Sequence, residues 1–180
     1  MMYWPVINSN KDNLKNKEDN FWKNRGDRYH CGLDIYSNKG NKVLSITKGK
    51  VYKTGTFTSP KINNYWNKTY YILIKFNKNK YLKYAELEDF YIQKGDMVKP
   101  GSIIGKIGQV LKPEKIEGSS PKYIHKLKKR RNLSMLHLEL YEKNPITNHK
   151  FYSGGNWFGE NKPKCLKNPD LILKNSVIKE

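Results

Sequence analysis

Between about residue 20 and residue 111, short runs of the chain alternate apolar with polar side chains or are rich in branched and aromatic ones. They cover 42–46, 50–54, 69–76, 81–87 and 103–107. Turn formers separate them: Gly40 with Asn41, Gly49, Asn77 to Asn79, Gly95 with Asp96, Pro100 with Gly101, and Gly108. Alternation of period 2 punctuated in this way predicts β-strands, and the spacing predicts an all-β, antiparallel domain, a sandwich or an open barrel. The clearest strand comes later, at 135–141. There Leu136, Leu138 and Leu140 share one face, and Met135, His137, Glu139 and Tyr141 share the other.

Two segments fall outside the pattern. Residues 8–20 are polar and charged and read as a lead-in. Residues 112–132 form a strongly basic insertion ending in Lys126-Leu127-Lys128-Lys129-Arg130-Arg131, either a short helix or a long surface loop. It could grip an anionic polymer or simply be solvated. Near the end, Asn168-Pro169-Asp170 before Leu171-Ile172-Leu173 predicts a turn into one last short element. There is no internal repeat and no long linker, so residues 1–180 are expected to form a single domain.

Charge changes the picture more than composition does. The chain has 35 Lys and Arg against 16 Asp and Glu, a formal charge of +19, which attracts polyanions: nucleic acid, anionic lipid or an acidic cell wall. An AT-rich coding sequence, which inflates Lys, Asn, Ile and Tyr together, accounts for the same numbers. Cys31 and Cys165 allow one disulfide or two free thiols and are too few for a cysteine metal site. No stretch is apolar enough to span a membrane, and residues 1–10 lack the pattern of a secretory signal peptide.

Candidate chemistry begins with His30-Cys31-Gly32-Leu33-Asp34. A histidine and an aspartate four apart, with a glycine between them that permits close backbone approach, suit a metal such as zinc, but the pair alone is a weak signal. His137, on the polar face of a strand whose other face is leucine, would complete a two-histidine, one-carboxylate set with a fourth position open. Glu139 could orient a metal-bound histidine or form a structural ion pair.

The order of these elements resembles the LytM/lysostaphin family of peptidoglycan metallopeptidases over about residues 4–173. Arg25-Gly26-Asp27-Arg28 running into His30–Asp34 is similar to the family's Gly-x-Arg stretch and His-x-Gly-x-Asp. Gly49-Lys50-Val51 looks like part of its strand pair, and Tyr84-Ala85-Glu86-Leu87 resembles its Tyr-x-His-Leu. Residues 95–105 are similar to its glycine-rich double turn, and Met135-Leu136-His137-Leu138-Glu139 resembles its His-x-His-x-Glu strand. The resemblance implies a duplicated hybrid-motif core and a Zn2+ cofactor held by His30, Asp34 and His137. It also implies cleavage of peptide cross-links in bacterial peptidoglycan.

Two positions depart from the family: Glu86 and Met135 stand where it has its non-ligand catalytic histidines. Glu86 is the expected general base and acid, since a carboxylate can do both. Met135 cannot stabilise an oxyanion, which leaves His125, Tyr84 and Tyr141 as candidate donors, while His149 receives no role. Residues 63–66 and Trp157 with Phe158 are candidate groove walls or ordinary packing. The alternative function is a catalytically silent relative that binds the wall or regulates another hydrolase. A basic nucleic-acid-binding β domain would leave the ordered motifs unexplained, so no nucleic-acid partner is expected. The substrate implies a secreted or periplasmic site of action, reached after processing or by a route without a signal peptide. An antibacterial effector or lysin fits, with an immunity protein as the natural partner of an effector, and a monomer is expected.

Overall fold

A computed structural model describes residues 1–9, 11 and 20–179, so most of the polar lead-in expected at 8–20 lies outside the described residues. In chain order the strands are β1 (Met2–Tyr3), β2 (Tyr29–His30), β3 (Leu33–Tyr36), β4 (Lys42–Leu44), β5 (Gly49–Thr58), β6 (Thr69–Phe76), β7 (Lys80–Phe90), β8 (Met97–Val98) and β9 (Ile103–Ile107). After them come helix α1 (Lys122–Lys128), β10 (Met135–Glu142), β11 (Tyr152–Ser153), β12 (Asn156–Trp157), β13 (Leu166–Lys167), helix α2 (Asp170–Leu173) and β14 (Ser176–Val177). The fold is all-β, and its large antiparallel sheet runs in the open order β13-β10-β7-β6-β5-β8 without closing into a barrel.

The alternation read in the sequence sets the layers. Leu136, Leu138 and Leu140 join Leu33, Ile35, Ile72, Ile74, Leu82 and Tyr84 in the main core, capped by Trp4, Val6, Ile172 and Leu173. Each large aliphatic side chain taken out of water there contributes about 1.5–3 kcal/mol. The opposite face buries Cys31, Tyr71, Leu73, Ala85, Tyr141, Trp157 and Leu166. Cys31 and Cys165 are both free thiols packed at this second cluster.

β7 carries the irregularity that matters most. Its residues 80–85 pair with β10 along one edge, whereas Leu87 to Phe90 pair along that edge with β9. The change of partner falls at Glu86, whose φ is +64°. Tyr84 and Leu87 both face the main core, so the two residues between them are turned to the other side. Glu86, which strict alternation would bury among leucines, thereby reaches the face that carries His137.

The basic insertion is not simply solvated. It forms α1, and Ile124 with Leu127, three apart on one side of the helix, packs with Ile116 against Tyr65, Trp66, Val110 and Leu111. Most of its exposed residues are charged, among them Lys115, Lys122, Lys126, Lys128, Lys129 and Arg131. The run expected at 168–173 ends in α2, whose Ile172 and Leu173 are buried.

Candidate metal centre

Three adjacent strands bring the site together. Asp34 on β3 and His137 on β10 are directly opposite in register, and Ala85 on β7 flanks His137 on its other side. The small alanine leaves the imidazole room. His30 arrives from β2, which pairs with β12. Gly32 permits the approach: a Cβ there would lie 2.2 Å from the Leu138 carbonyl oxygen. Gly155 covers the far side, where an added Cβ would lie 2.6 Å from His137 Nε2.

The donor atoms converge. Asp34 Oδ1 lies 3.0 Å from His30 Nε2 and 2.8 Å from His137 Nδ1, and the two nitrogens are 3.1 Å apart. All three residues are buried. The far nitrogen of each ring is already committed. His30 Nδ1 donates to the Asn20 carbonyl at 3.0 Å, and His137 Nε2 lies 2.9 Å from Glu139 Oε1. Among the described residues this is the cluster whose side chains could hold a metal ion.

The surrounding charges set the protonation. Burial, then the Arg25 charge, hold His30 down at about 4. Burial also resists charging of His137, but hydrogen bonds to Asp34 and Glu139 and their negative charges outweigh it and lift the group to about 9. Burial would raise the Asp34 pKa, yet the two histidines and Arg25 hold it well below the usual carboxylate range. Near neutrality, without metal, one proton therefore sits on His137, within reach of Asp34 Oδ1.

Arg25, Asn156 and Glu86 complete the inner wall. Arg25 Nη2 donates to Asp34 Oδ2 at 2.8 Å and Nη1 to Asn156 Oδ1 at 3.1 Å, while its guanidinium lies over the Tyr123 ring, 4.3 Å from the centroid. Glu86 is buried with Oε2 unpartnered, and burial followed by repulsion from Asp34 raises its pKa to about 8. These groups line a cavity of about 40 Å³ together with Met135, His137 and Gly154. Trp66, Val110, Leu111, Ile124, Leu127 and Leu133 supply its apolar side. That volume has room for about three waters.

The expected residues are thus sorted by geometry. His30, Asp34, His137, Glu86 and Met135 come together. His125 does not line the cavity: Tyr123, Ile124 and Leu127 are the residues of α1 that do. Tyr141 is buried beside Glu139, to which its hydroxyl donates, away from the cavity. The Tyr84 hydroxyl accepts from the Ile46 amide in the main core. Of the expected groove walls, Trp66 lines the cavity, whereas Trp157 packs in the second cluster. Glu139 lies 2.9 Å from His137 Nε2 and pairs with Lys83 at 2.7 Å.

Residues 28–147 match the sequence model of peptidase family M23, two thirds of the chain. The chain belongs to peptidase family M23. No curated protein matches it. Among solved structures it is similar to lysostaphin, the antimicrobial peptidase of Staphylococcus simulans, with 20% identity, a TM-score of 0.51, and coverage of 98% of this chain and 49% of that one. The catalytic domain of the same protein gives 19% identity and a TM-score of 0.50 over 82% of this chain and 80% of that one. Helicobacter pylori Csd3 gives 20% and 0.50 over 97% and 39%. The likeness is one of fold, and the chain spans half or less of the two longer relatives.

Arg25, Asn156, Lys83 and Tyr152 were not singled out in the sequence as site residues. Lys83 carried a signal: with Tyr81 and Ala85 it occupies one face of a strand whose alternate residues are core, and a lysine on a covered face needs a buried partner. Asn156 carried none beyond its place in a glycine turn.

Proposed function

We propose that this M23 peptidase is a zinc-dependent endopeptidase acting on the peptide cross-links of bacterial peptidoglycan. His30, Asp34 and His137 hold the metal, and Glu86 is the acid–base group. One observation carries the reading: two imidazole nitrogens and a carboxylate oxygen meet within 3.1 Å, while the far nitrogen of each ring is tied to an acceptor. Such a trio needs a proton or a cation between its members. Tetrahedral zinc at roughly 2.0–2.1 Å from N and O ligands would set these atoms about 3.3 Å apart, a few tenths of an ångström wider than found. The donor set therefore fits.

Bound zinc supplies a Lewis acid that polarises a carbonyl and acidifies water. The protein supplies the rest. Glu86, with a free oxygen on the cavity, takes a proton from the attacking water and returns it to the leaving amine. Its raised pKa suits both transfers, and a nearby dication would draw it down from about 8. Arg25 is the fixed positive donor next to the carboxylate ligand and stands in for the imidazole that Met135 cannot replace. The substrate lies outside the cytoplasmic membrane, so the proposed site of action is extracytoplasmic. A secreted antibacterial effector, or a lysin, is the setting in which a neutralising partner would be expected. Among the described residues no helix is long and apolar enough to cross a membrane.

A second reading, a silent relative that binds the wall, is favoured by Met135, which lines the cavity and offers no proton donor or acceptor of an imidazole's kind. Digestion of purified peptidoglycan with added zinc separates the two. Wild type should release defined peptides, identified by mass spectrometry, and Asp34→Ala and Glu86→Gln should release none. No release by any of them supports the silent reading.

A further inference from the structure

Behind His137, on the side away from the cavity, lies a buried polar network that the proposed chemistry does not use. Glu139 is fully buried and directly opposite Lys83 in the register of β10 and β7. Its Oε1 lies 2.9 Å from His137 Nε2 and accepts from the Tyr152 hydroxyl at 2.7 Å. Its Oε2 accepts from the Tyr141 hydroxyl and from Lys83 Nζ at 2.7 Å. Lys83, 1% exposed, also reaches the Tyr152 hydroxyl at 2.8 Å, the Ile146 carbonyl at 2.9 Å and the Tyr141 hydroxyl at 3.1 Å.

Hydrogen-bond direction runs one way through this network. An ammonium donates and never accepts. A tyrosine hydroxyl that receives from Lys83 has its one proton left for Glu139. Three donors, Lys83, Tyr141 and Tyr152, therefore point at one carboxylate and fix it as an acceptor. Its remaining neighbour, His137 Nε2, must then be a donor as well. With the proton pinned at Nε2, Nδ1 is the nitrogen left to face Asp34 and His30.

We propose that Lys83 is a positioning residue: acting through Glu139 and the two tyrosines, it fixes the ring orientation and tautomer in which His137 presents Nδ1 to a metal. The inference rests on the zinc reading above. Lys83 touches neither the donor atoms nor the cavity, so its contribution is the direction it imposes. A purely structural lysine would leave metal affinity unchanged once the fold was restored.

The test is zinc affinity of the full chain by chelator competition, with the folded fraction followed by circular dichroism. Lys83→Met alone buries an unpaired carboxylate and is open to misfolding. The deciding variant is Lys83→Met/Glu139→Gln, which removes both charges together and leaves an amide able to donate to His137 Nε2. It should fold and bind zinc about 10- to 100-fold more weakly than wild type. Zinc affinity within twofold of wild type in the folded double variant would overturn the proposal. A second measurement needs no variant: 15N NMR of zinc-loaded wild type should find the proton of the His137 ring on Nε2, and a proton on Nδ1 instead would equally overturn it. Asp34→Ala guards the underlying reading, since wild-type zinc affinity in that variant would remove the metal site itself whatever Lys83 does.

Discussion

Gly155 makes the sharpest test of how tightly the site is built, because it contributes no functional group. Its φ is +74°, and an added Cβ would lie 2.6 Å from His137 Nε2, 2.7 Å from Cε1 and 3.0 Å from Cδ2. The left-handed backbone alone costs an alanine about 1–2 kcal/mol. Relieving the overlap by tilting the imidazole adds about 1–3 kcal/mol, as overpacking does in other cores. Gly155→Ala should therefore lose about 2–5 kcal/mol altogether. Gly118 is the matched control: its φ is ordinary and nothing lies within 4 Å of an added Cβ, so Gly118→Ala should stay within about 1 kcal/mol of wild type, on the stabilising side. Guanidinium unfolding of metal-free protein reads both, and chelator competition on folded Gly155→Ala should show weakened zinc binding. Stability and zinc affinity both equal to wild type would mean that the ring has slack, and the argument from close packing would fail.

Other perturbations separate the remaining terms. A carboxyl raised to about 8 in the fold from an ordinary 4.5 binds its proton in the native state when the unfolded chain has lost it, so metal-free stability should fall as pH rises from about 4.5 to 8, by a few kcal/mol in all. Glu86→Gln should abolish that slope and be the more stable protein at pH 8; parallel pH profiles would refute the buried carboxyl. Arg25→Met leaves Asp34 Oδ2 without its 2.8 Å partner and should cost about 3–5 kcal/mol without metal but less in saturating zinc, read from unfolding midpoints in the two conditions. Leu127→Ala, in the apolar wall of the cavity, should cost about 2–5 kcal/mol and speed the stripping of zinc by chelator, whereas an unchanged rate would deny α1 a part in closing the site.

Period-2 alternation made the sheet legible. The spans 69–76 and 103–107 match β6 and β9, and the two faces of 135–141 are those of β10, because burial on one side of a sheet leaves a direct mark on residue order. The tight turns were marked by glycine and asparagine. The insertion was harder to read: its lysines dominate the composition, while the three apolar residues that anchor it, Ile116, Ile124 and Leu127, are too few to register against them. At the site, the residues His30, Asp34, His137 and Glu86 could be nominated from motif order. The bulge that turns Glu86 round could not, since no glycine or proline marks it and a left-handed glutamate leaves no trace in the sequence. Arg25 and Lys83 show the general limit. Their partners lie 9 and 56 positions away, at Asp34 and Glu139, and a buried ion pair between separate segments is invisible until the fold is known. His125 and Tyr141 lie off the cavity for the converse reason. A helix face and a hydroxyl's partner are decided by packing, not by residue type.

Glu86, Met135 and the insertion are better understood as one arrangement than as two losses and an ornament. An imidazole exchanges protons near neutrality wherever it stands, because its ordinary pKa is already there. A carboxyl does not, and in an open, wet groove a glutamate at this position would stay ionised and be a poor acid. It becomes useful only when burial raises its pKa, and burial is the first cause of the shift found here. The apolar surface that achieves this comes from Met135 in place of an imidazole, and from Ile124, Leu127 and Leu133, which belong to the insertion or border it. An imidazole at position 135 would bring polarity and water back to Glu86; an insertion without its buried face would open the cavity to solvent. On the proposed reading, then, the apolar wall that α1 adds beside Glu86 is part of what raises its pKa, which ties turnover to that helix as well as to the metal ligands.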